Sequence, residues 1–200
     1  MPLAPFIPEF FGCYTKDNTE FVIIEDLTSG FSSPCIADIK IGTTSWDPDA
    51  PEEKKSRMKK KRIGTTTQSL GVRIVGMVMQ KNGSVVKRLT RNEGEELNDP
   101  QFYTELKNFV PNSLKDSFKS VIEKISSLYV ETLDENPGFR IYSSSLLVIY
   151  DGDNPTEIRV KIIDLAHCHS DIRVFNVSLS DSAFDDGFFS GLNNLKANKV

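Results

Sequence analysis

The chain has 200 residues, 38% hydrophobic and 26% charged, enough for one ordinary domain, and this composition excludes a disordered, collagen-like or coiled-coil protein. Three cysteines offer no disulfide framework and suggest a reducing compartment, cytosol or nucleus. The net charge of −4 argues against a surface that binds nucleic acid throughout. It also hides an asymmetry, because Lys54, Lys55, Arg57, Lys59, Lys60, Lys61 and Arg62 cluster while the other 17 Lys and Arg face 28 Asp and Glu, a balance of −11.

The N-terminal residues 1–8 have neither the basic start nor the apolar run of an export signal, and nowhere do about 18 apolar residues run together, so no membrane helix is expected. Phe21-Val22-Ile23-Ile24-Glu25 reads as a buried strand ending in the turn Asp26-Leu27-Thr28-Ser29-Gly30. Cys35 to Gly42 alternates apolar with polar residues, so Asp38 and Lys40 share one face of a strand, an acid beside a base. From Thr43 the chain turns polar, and a short helix is expected from Pro51, with Glu52 and Glu53 at the positive end of its dipole. Gly71 to Gln80 and Val85 to Leu89 read as a hairpin turning through Lys81-Asn82-Gly83-Ser84.

Asp99 is expected to cap a helix that begins at Pro100 and stops at Pro111. A longer helix follows from Asn112 or Ser113, in which Leu114, Phe118, Val121, Ile122, Ile125, Leu128 and Tyr129 recur at steps of three and four. Asn136-Pro137-Gly138 ends it. Arg140 to Tyr150 and Glu157 to Leu165 read as two strands around the turn Asp151 to Pro155, and Asp186 to Ala197 as a last helix.

Asp164, His167, Cys168, His169 and Asp171 match no closed zinc pattern. Ile162-Ile163-Asp164 places a carboxylate at a strand end, a position that suits a turn former or a ligand for a hard divalent cation serving phosphates. Neither phosphate-loop pattern occurs, the protein-kinase set is missing, and no Gly-x-Ser-x-Gly elbow accompanies the two histidines. The basic run has three readings: a solvated loop or nuclear-import signal, a clamp for a phosphate-rich ligand, or a nucleic-acid contact. No aromatic residue lies in it to stack on bases, which counts against the third.

Pro34-Cys35-Ile36-Ala37-Asp38-Ile39-Lys40-Ile41-Gly42 has the pattern Pro-x-x-x-Asp-x-Lys-x-Gly, which resembles the signature of the inositol polyphosphate kinase family. Ser144-Ser145-Leu146-Leu147, Ile163-Asp164-Leu165-Ala166-His167 and Asp185-Asp186-Gly187-Phe188-Phe189-Ser190-Gly191-Leu192 are similar to three further family segments, in the family's order. Leu70 to Met77 and Tyr142 to Gly152 resemble its inositol hexakisphosphate kinase branch most. The resemblance implies an α+β, kinase-like fold that binds ATP and Mg2+ and passes the γ-phosphoryl group to an inositol polyphosphate.

On this resemblance Glu25, Asp26 and Leu27 form a hinge that meets adenine, and Asp38 sits beside the ribose and the reacting centre. Lys40 bridges the transferred phosphate and the attacking oxygen. Asp164 holds Mg2+ with Ser145 nearby, and His167 faces the inositol ring. Lys54, Arg57 and Lys61, within the basic segment 50–64, bind substrate phosphates, and Asp186 is structural. Leu165 stands where the family has Phe.

Residues 1–27 then correspond to the end of an N-terminal lobe and its hinge, and 28–200 to the C-terminal lobe. Pro5 to Gly12 resembles a segment that in the family follows the first strands of the N-terminal lobe, which carry the lysine for the ATP phosphates. A truncated N-terminal lobe is therefore expected, and two functions compete: an active kinase, and a non-catalytic inositol-phosphate-binding protein. A monomer without a membrane or nucleic-acid partner is expected.

Overall fold

Residues 2–182 and 185–196 are described by a computed structural model, and Ala197 of the expected last helix lies outside them. A ribbon of β1 (Phe10–Lys16) and β2 (Thr19–Ile24) precedes the central strand β3 (Pro34–Ile41). Helices α1 (Glu52–Arg62) and α2 (Thr66–Ser69) lead to the hairpin of β4 (Val72–Lys81) and β5 (Ser84–Leu89). Three helices follow, α3 (Arg91–Glu96), α4 (Asp99–Phe109) and α5 (Lys115–Glu135). The chain closes with β6 (Arg140–Ile141), β7 (Ser145–Asp151), β8 (Ile158–Ile163), β9 (Cys168–His169) and α6 (Phe188–Lys196).

Five strands make one antiparallel sheet in the order β5-β4-β3-β7-β8, so β3 has a neighbour on each side. The alternation of β3 works as its sequence requires. Cys35, Ala37, Ile39 and Ile41 enter the core, and Asp38 and Lys40 are left on the opposite face. Against the core face pack Phe118, Ile122, Ile125 and Tyr129 of α5, all at most 1% exposed. Each such side chain contributes about 1.5–3 kcal/mol of burial. The β4–β5 turn uses Asn82 and Gly83 at φ of 50° and 69°, the left-handed pair that a two-residue hairpin needs.

Several expectations change. β2 is a strand but not a buried one: Phe21, Val22 and Ile24 are 49%, 65% and 51% exposed, because the ribbon pairs only with itself. An apolar run signals a strand without revealing what covers it. Asn98, not Asp99, caps α4, in a reciprocal box with Gln101, while Asp99 accepts the Ser69 hydroxyl. The expected strand from Arg140 to Tyr150 divides at Ser143, whose φ is 60°, and its first part pairs with β9. The basic run lies on a full helix, α1, whose last-turn cations face the negative end of its dipole. Helix α3 was not foreseen, although Thr90-x-x-Glu93 forms a capping box at its start. Among the described residues no helix is long and apolar enough to cross a membrane.

Candidate functional site

Strand register assembles the centre of the site. Lys40 pairs with Arg73 of β4 on one side and with Ser145 of β7 on the other, and Ser145 pairs with Ile163, the neighbour of Asp164. Cross-strand partners share a face, so two cations stand directly opposite each other, an arrangement that costs stability unless an anion joins them. Burial first, and then the Arg73 charge, hold the Lys40 ammonium below its usual pKa. Its Nζ donates to the Ser143 carbonyl at 3.1 Å and hydroxyl at 2.6 Å. Arg73 is 8% exposed, and one guanidinium nitrogen donates to Glu95 at 2.7 Å while its buried Nε has no partner among the described residues.

Asp38 occupies the same face two residues before Lys40. Burial raises its pKa, the Ser145 hydrogen bond works against that, and the Asp164 charge adds to the rise. Its buried Oδ1 lacks a partner among the described residues. Asp164 directly follows β8, with a left-handed φ of 62°. Two carboxylates and the Ser145 hydroxyl form an oxygen-only set with an orphaned acceptor, which fits a hard divalent cation. No group of three His, Cys, Asp or Glu among the described residues could hold a metal unaided. Mg2+ is commonly held by one or two carboxylates plus substrate oxygens.

Two cavities flank this centre. The first, of about 410 Å³, is lined by Lys40, Lys61, Arg62, Arg73 and Arg91 against one acid, Glu95, which pairs with both Arg73 and Arg91. Thr67 also lines it, with a buried hydroxyl that has no partner among the described residues. Arg62 ties the end of α1 to the Thr43 carbonyl and lies 5.1 Å over the Trp46 ring. Of the three cations expected to bind phosphates, Lys61 lines this cavity. Lys54 lies 4.0 Å from Asp47, and Arg57 is exposed on α1.

The second cavity, about 780 Å³, is apolar. It lies between Phe10, Val22 and Ile24 of the ribbon and Leu147 and Ile162 of the sheet. Glu25, Asp26 and Leu27 border it, and Asp164 stands on its wall. The Glu25 carboxylate accepts the Glu9 amide and Lys161, in that order of influence, and stays below the usual range. Asp26 accepts the Thr28 amide and hydroxyl. Both carboxylates are thus engaged within the chain.

His167 lies three residues beyond Asp164, and its Nδ1 bonds Asp47. Asp186, 1% exposed, accepts the Tyr129 hydroxyl at 2.6 Å and the amides of Ile141 and Phe188. Its carbonyl receives the Thr43 amide at the end of β3, so this acid braces the site from below.

Arg73, Arg91, Thr67 and Asp47 escaped the sequence reading, which placed Arg62 in the basic run without singling it out for substrate binding. An arginine inside the apolar run Val72-Arg73-Ile74-Val75 was a signal for one of them, and the Thr90 capping box a signal for the helix that carries Arg91.

A family model described as inositol polyphosphate kinase matches residues 21–198. The chain is 30% identical to inositol hexakisphosphate kinase 3 of Mus musculus over 91% of its own length, and spans 51% of that protein. It is 35% identical to inositol hexakisphosphate kinase 1 of Rattus norvegicus over 73% of its length, and spans 35% of that one. The chain therefore covers only about a third to a half of the curated relatives it matches. The structure of an inositol phosphate multikinase from S. cerevisiae, in complex with ADP and Mn2+, superposes with a TM-score of 0.74. Its identity is 26%, over 98% of this chain and 88% of that one.

Proposed function

The chain belongs to the inositol polyphosphate kinase family and has its α+β, kinase-like fold, and from that premise we propose that it transfers the γ-phosphoryl group of ATP to an inositol polyphosphate. The observation that carries this reading is the cavity beside Lys40, where five cations face a single carboxylate. A compact, multiply phosphorylated ring is the ligand that satisfies such a surface, and charge-assisted bonds from Arg and Lys are the strong kind. Similarity to hexakisphosphate kinases supports inositol hexakisphosphate as the first acceptor to try.

In this reading residues 1–27 supply the upper wall and hinge, and residues 28–200 the lobe that carries the chemistry. The apolar cavity takes the adenine against the backbone of Glu25, Asp26 and Leu27. Asp164 and Asp38, with Ser145, would hold the Mg2+ that accompanies ATP, which neutralises charge on the phosphates when bound. Lys40 lines the cationic cavity on the strand face it shares with Asp38, where its ammonium can meet the transferred phosphate and the attacking oxygen. Lys61, Arg62, Arg73, Arg91 and Thr67 hold the remaining substrate phosphates. A polyanion there removes the repulsion between Lys40 and Arg73 and favours the charged lysine. Little covalent work falls to the protein, so positioning and charge provide the rate.

The test is incubation with labelled ATP, Mg2+ and a panel of inositol phosphates, followed by chromatography of the products. Transfer is expected, and Lys40→Ala and Asp164→Asn should each lower kcat by about 100-fold or more. Undiminished transfer in both variants overturns the site. Binding of inositol hexakisphosphate without transfer to any acceptor would assign the non-catalytic reading instead.

A further inference from the structure

We propose that Asp47 is a positioning residue that fixes His167 as its Nδ1–H tautomer, leaving Nε2 to take the proton of the attacking O–H of the substrate. The proposal rests on the phosphoryl-transfer reading of the site. Asp47 lies in the loop between β3 and α1, with its side chain only 14% exposed. His167 Nδ1 is 2.8 Å from its Oδ2, and His169 Nε2 is 2.7 Å from its Oδ1. A carboxylate only accepts hydrogen bonds, so each of these two ring nitrogens carries a proton. Burial alone would raise the Asp47 pKa. The hydrogen bond from His169 and the charges of His167 and His169 outweigh it and keep the carboxyl below its usual range.

The two histidines are not equivalent. The His169 ring is fixed edge-on against Phe175 at 5.2 Å and packs against Tyr142 at 5.9 Å, so it serves as the anchor that orients Asp47. The His167 side chain is 39% exposed. Its carbonyl receives the Tyr142 amide at 3.0 Å, and the next residue, Ser143, holds Lys40 Nζ. The His167 main chain is therefore tied to the residue that precedes the anchor of the lysine at the reacting centre. An unrestrained imidazole favours the proton on Nε2, which would present a donor outward. Asp47 reverses that preference and presents a lone pair.

In the transfer step the substrate oxygen forms a bond to the γ-phosphorus while the bond from that phosphorus to the β–γ bridging oxygen breaks. ADP leaves with the electron pair, and the proton of the attacking O–H passes to Nε2. The resulting imidazolium is stabilised by Asp47. The attacking group is one that still bears a proton, a ring hydroxyl or a monoprotonated phosphate.

The chain has two histidines, so its imidazole spectrum holds two ring systems. In the full chain labelled with 15N-histidine, at a pH where both rings are neutral, the ring spectrum should show His167 protonated at Nδ1 and His169 at Nε2, assigned with His169→Gln. Asp47→Ala should return His167 to mainly Nε2–H, and Asp47→Asn, which keeps the shape of the loop and an oxygen within reach of both rings but removes the charge, should weaken the Nδ1–H preference of His167. With labelled ATP, Asp47→Ala should lower kcat about 10- to 100-fold, below the full effect of a general base, and change KM less than about threefold. Asp47→Glu should restore part of the loss. Comparing inositol pentakisphosphate with the hexakisphosphate separates hydroxyl from phosphate attack, by which acceptor suffers the larger loss. His167 protonated at Nε2 in the wild type overturns the proposal, as does an unchanged kcat in Asp47→Ala. Should no form transfer phosphate, the kinase reading falls and the base role with it, while the tautomer spectrum still decides whether Asp47 sets His167.

Discussion

Arg73 and Lys40 face each other across two paired strands, with Glu95 bonded to Arg73 and the charges of Asp164 and Asp38 acting on Lys40. This pair separates phosphate binding from simple surface charge. Arg73→Ala should weaken inositol hexakisphosphate binding about tenfold or more in calorimetric titration, since a hydrogen bond to a charged group contributes about 1.5–3 kcal/mol. The same comparison tests the helix: Lys61→Ala with Arg91→Ala should raise KM well above Lys54→Ala with Arg57→Ala, because only the first pair lines the cavity. Equal effects from the two double variants would return the binding role to the whole basic run. The common face of Asp38 and Lys40 was legible from alternation along one strand. The approach of Arg73 was not, because it depends on register between strands separated by a loop and two helices.

At the scale of elements, glycines decide how closely the site's supports approach. Gly42, at φ of 104° at the end of β3, leaves room for the Asp186 carbonyl, which a Cβ would meet at 2.7 Å. Gly187, at φ of 70°, lies against Thr43, into which a Cβ would collide. Gly187→Ala combines left-handed strain with that collision and should cost about 2 kcal/mol or more. In a chain of this size the melting temperature should then fall by at least about 4 °C. Gly30→Ala, also left-handed at 87° but in open space, should cost only the backbone strain of about 1–2 kcal/mol. A melt that ranks Gly30→Ala as the more damaging would refute this account of the crossing.

The elements also mark where local signals stop. Pro51, Glu52 and Glu53 announced the start of α1, but none of its residues is buried, so periodicity could not reveal its length or its face. The ribbon shows the opposite failure: Phe21 to Ile24 have the composition of a core strand, and only the pairing of β2 with β1 alone shows them exposed.

For the molecule as a whole, the net charge of −4 resolves into an acidic body and a cationic cavity assembled from α1, α3, β3 and β4, beside a largely apolar cavity whose charged lining residues are the carboxylates Glu25, Asp26 and Asp164. The two should answer salt differently. Raising NaCl from 50 to 500 mM shortens the screening length to a few ångströms, roughly the spacing of the cations. Affinity for inositol hexakisphosphate should fall more than about tenfold, while that for uncharged adenosine should change less than about twofold; parallel losses would show that the cavities do not divide the ligands as proposed. Strand alternation, helix periodicity, turn residues and the order of four short segments were properties of local covalent sequence, and they identified the kinase-like fold, the family and the strand face of Asp38 and Lys40. Which cations gather around Lys40, and that Asp47 ties the two histidines together, depended on strand register and loop closure. Those are long-range pairings, governed by packing across the sheet that no single segment encodes.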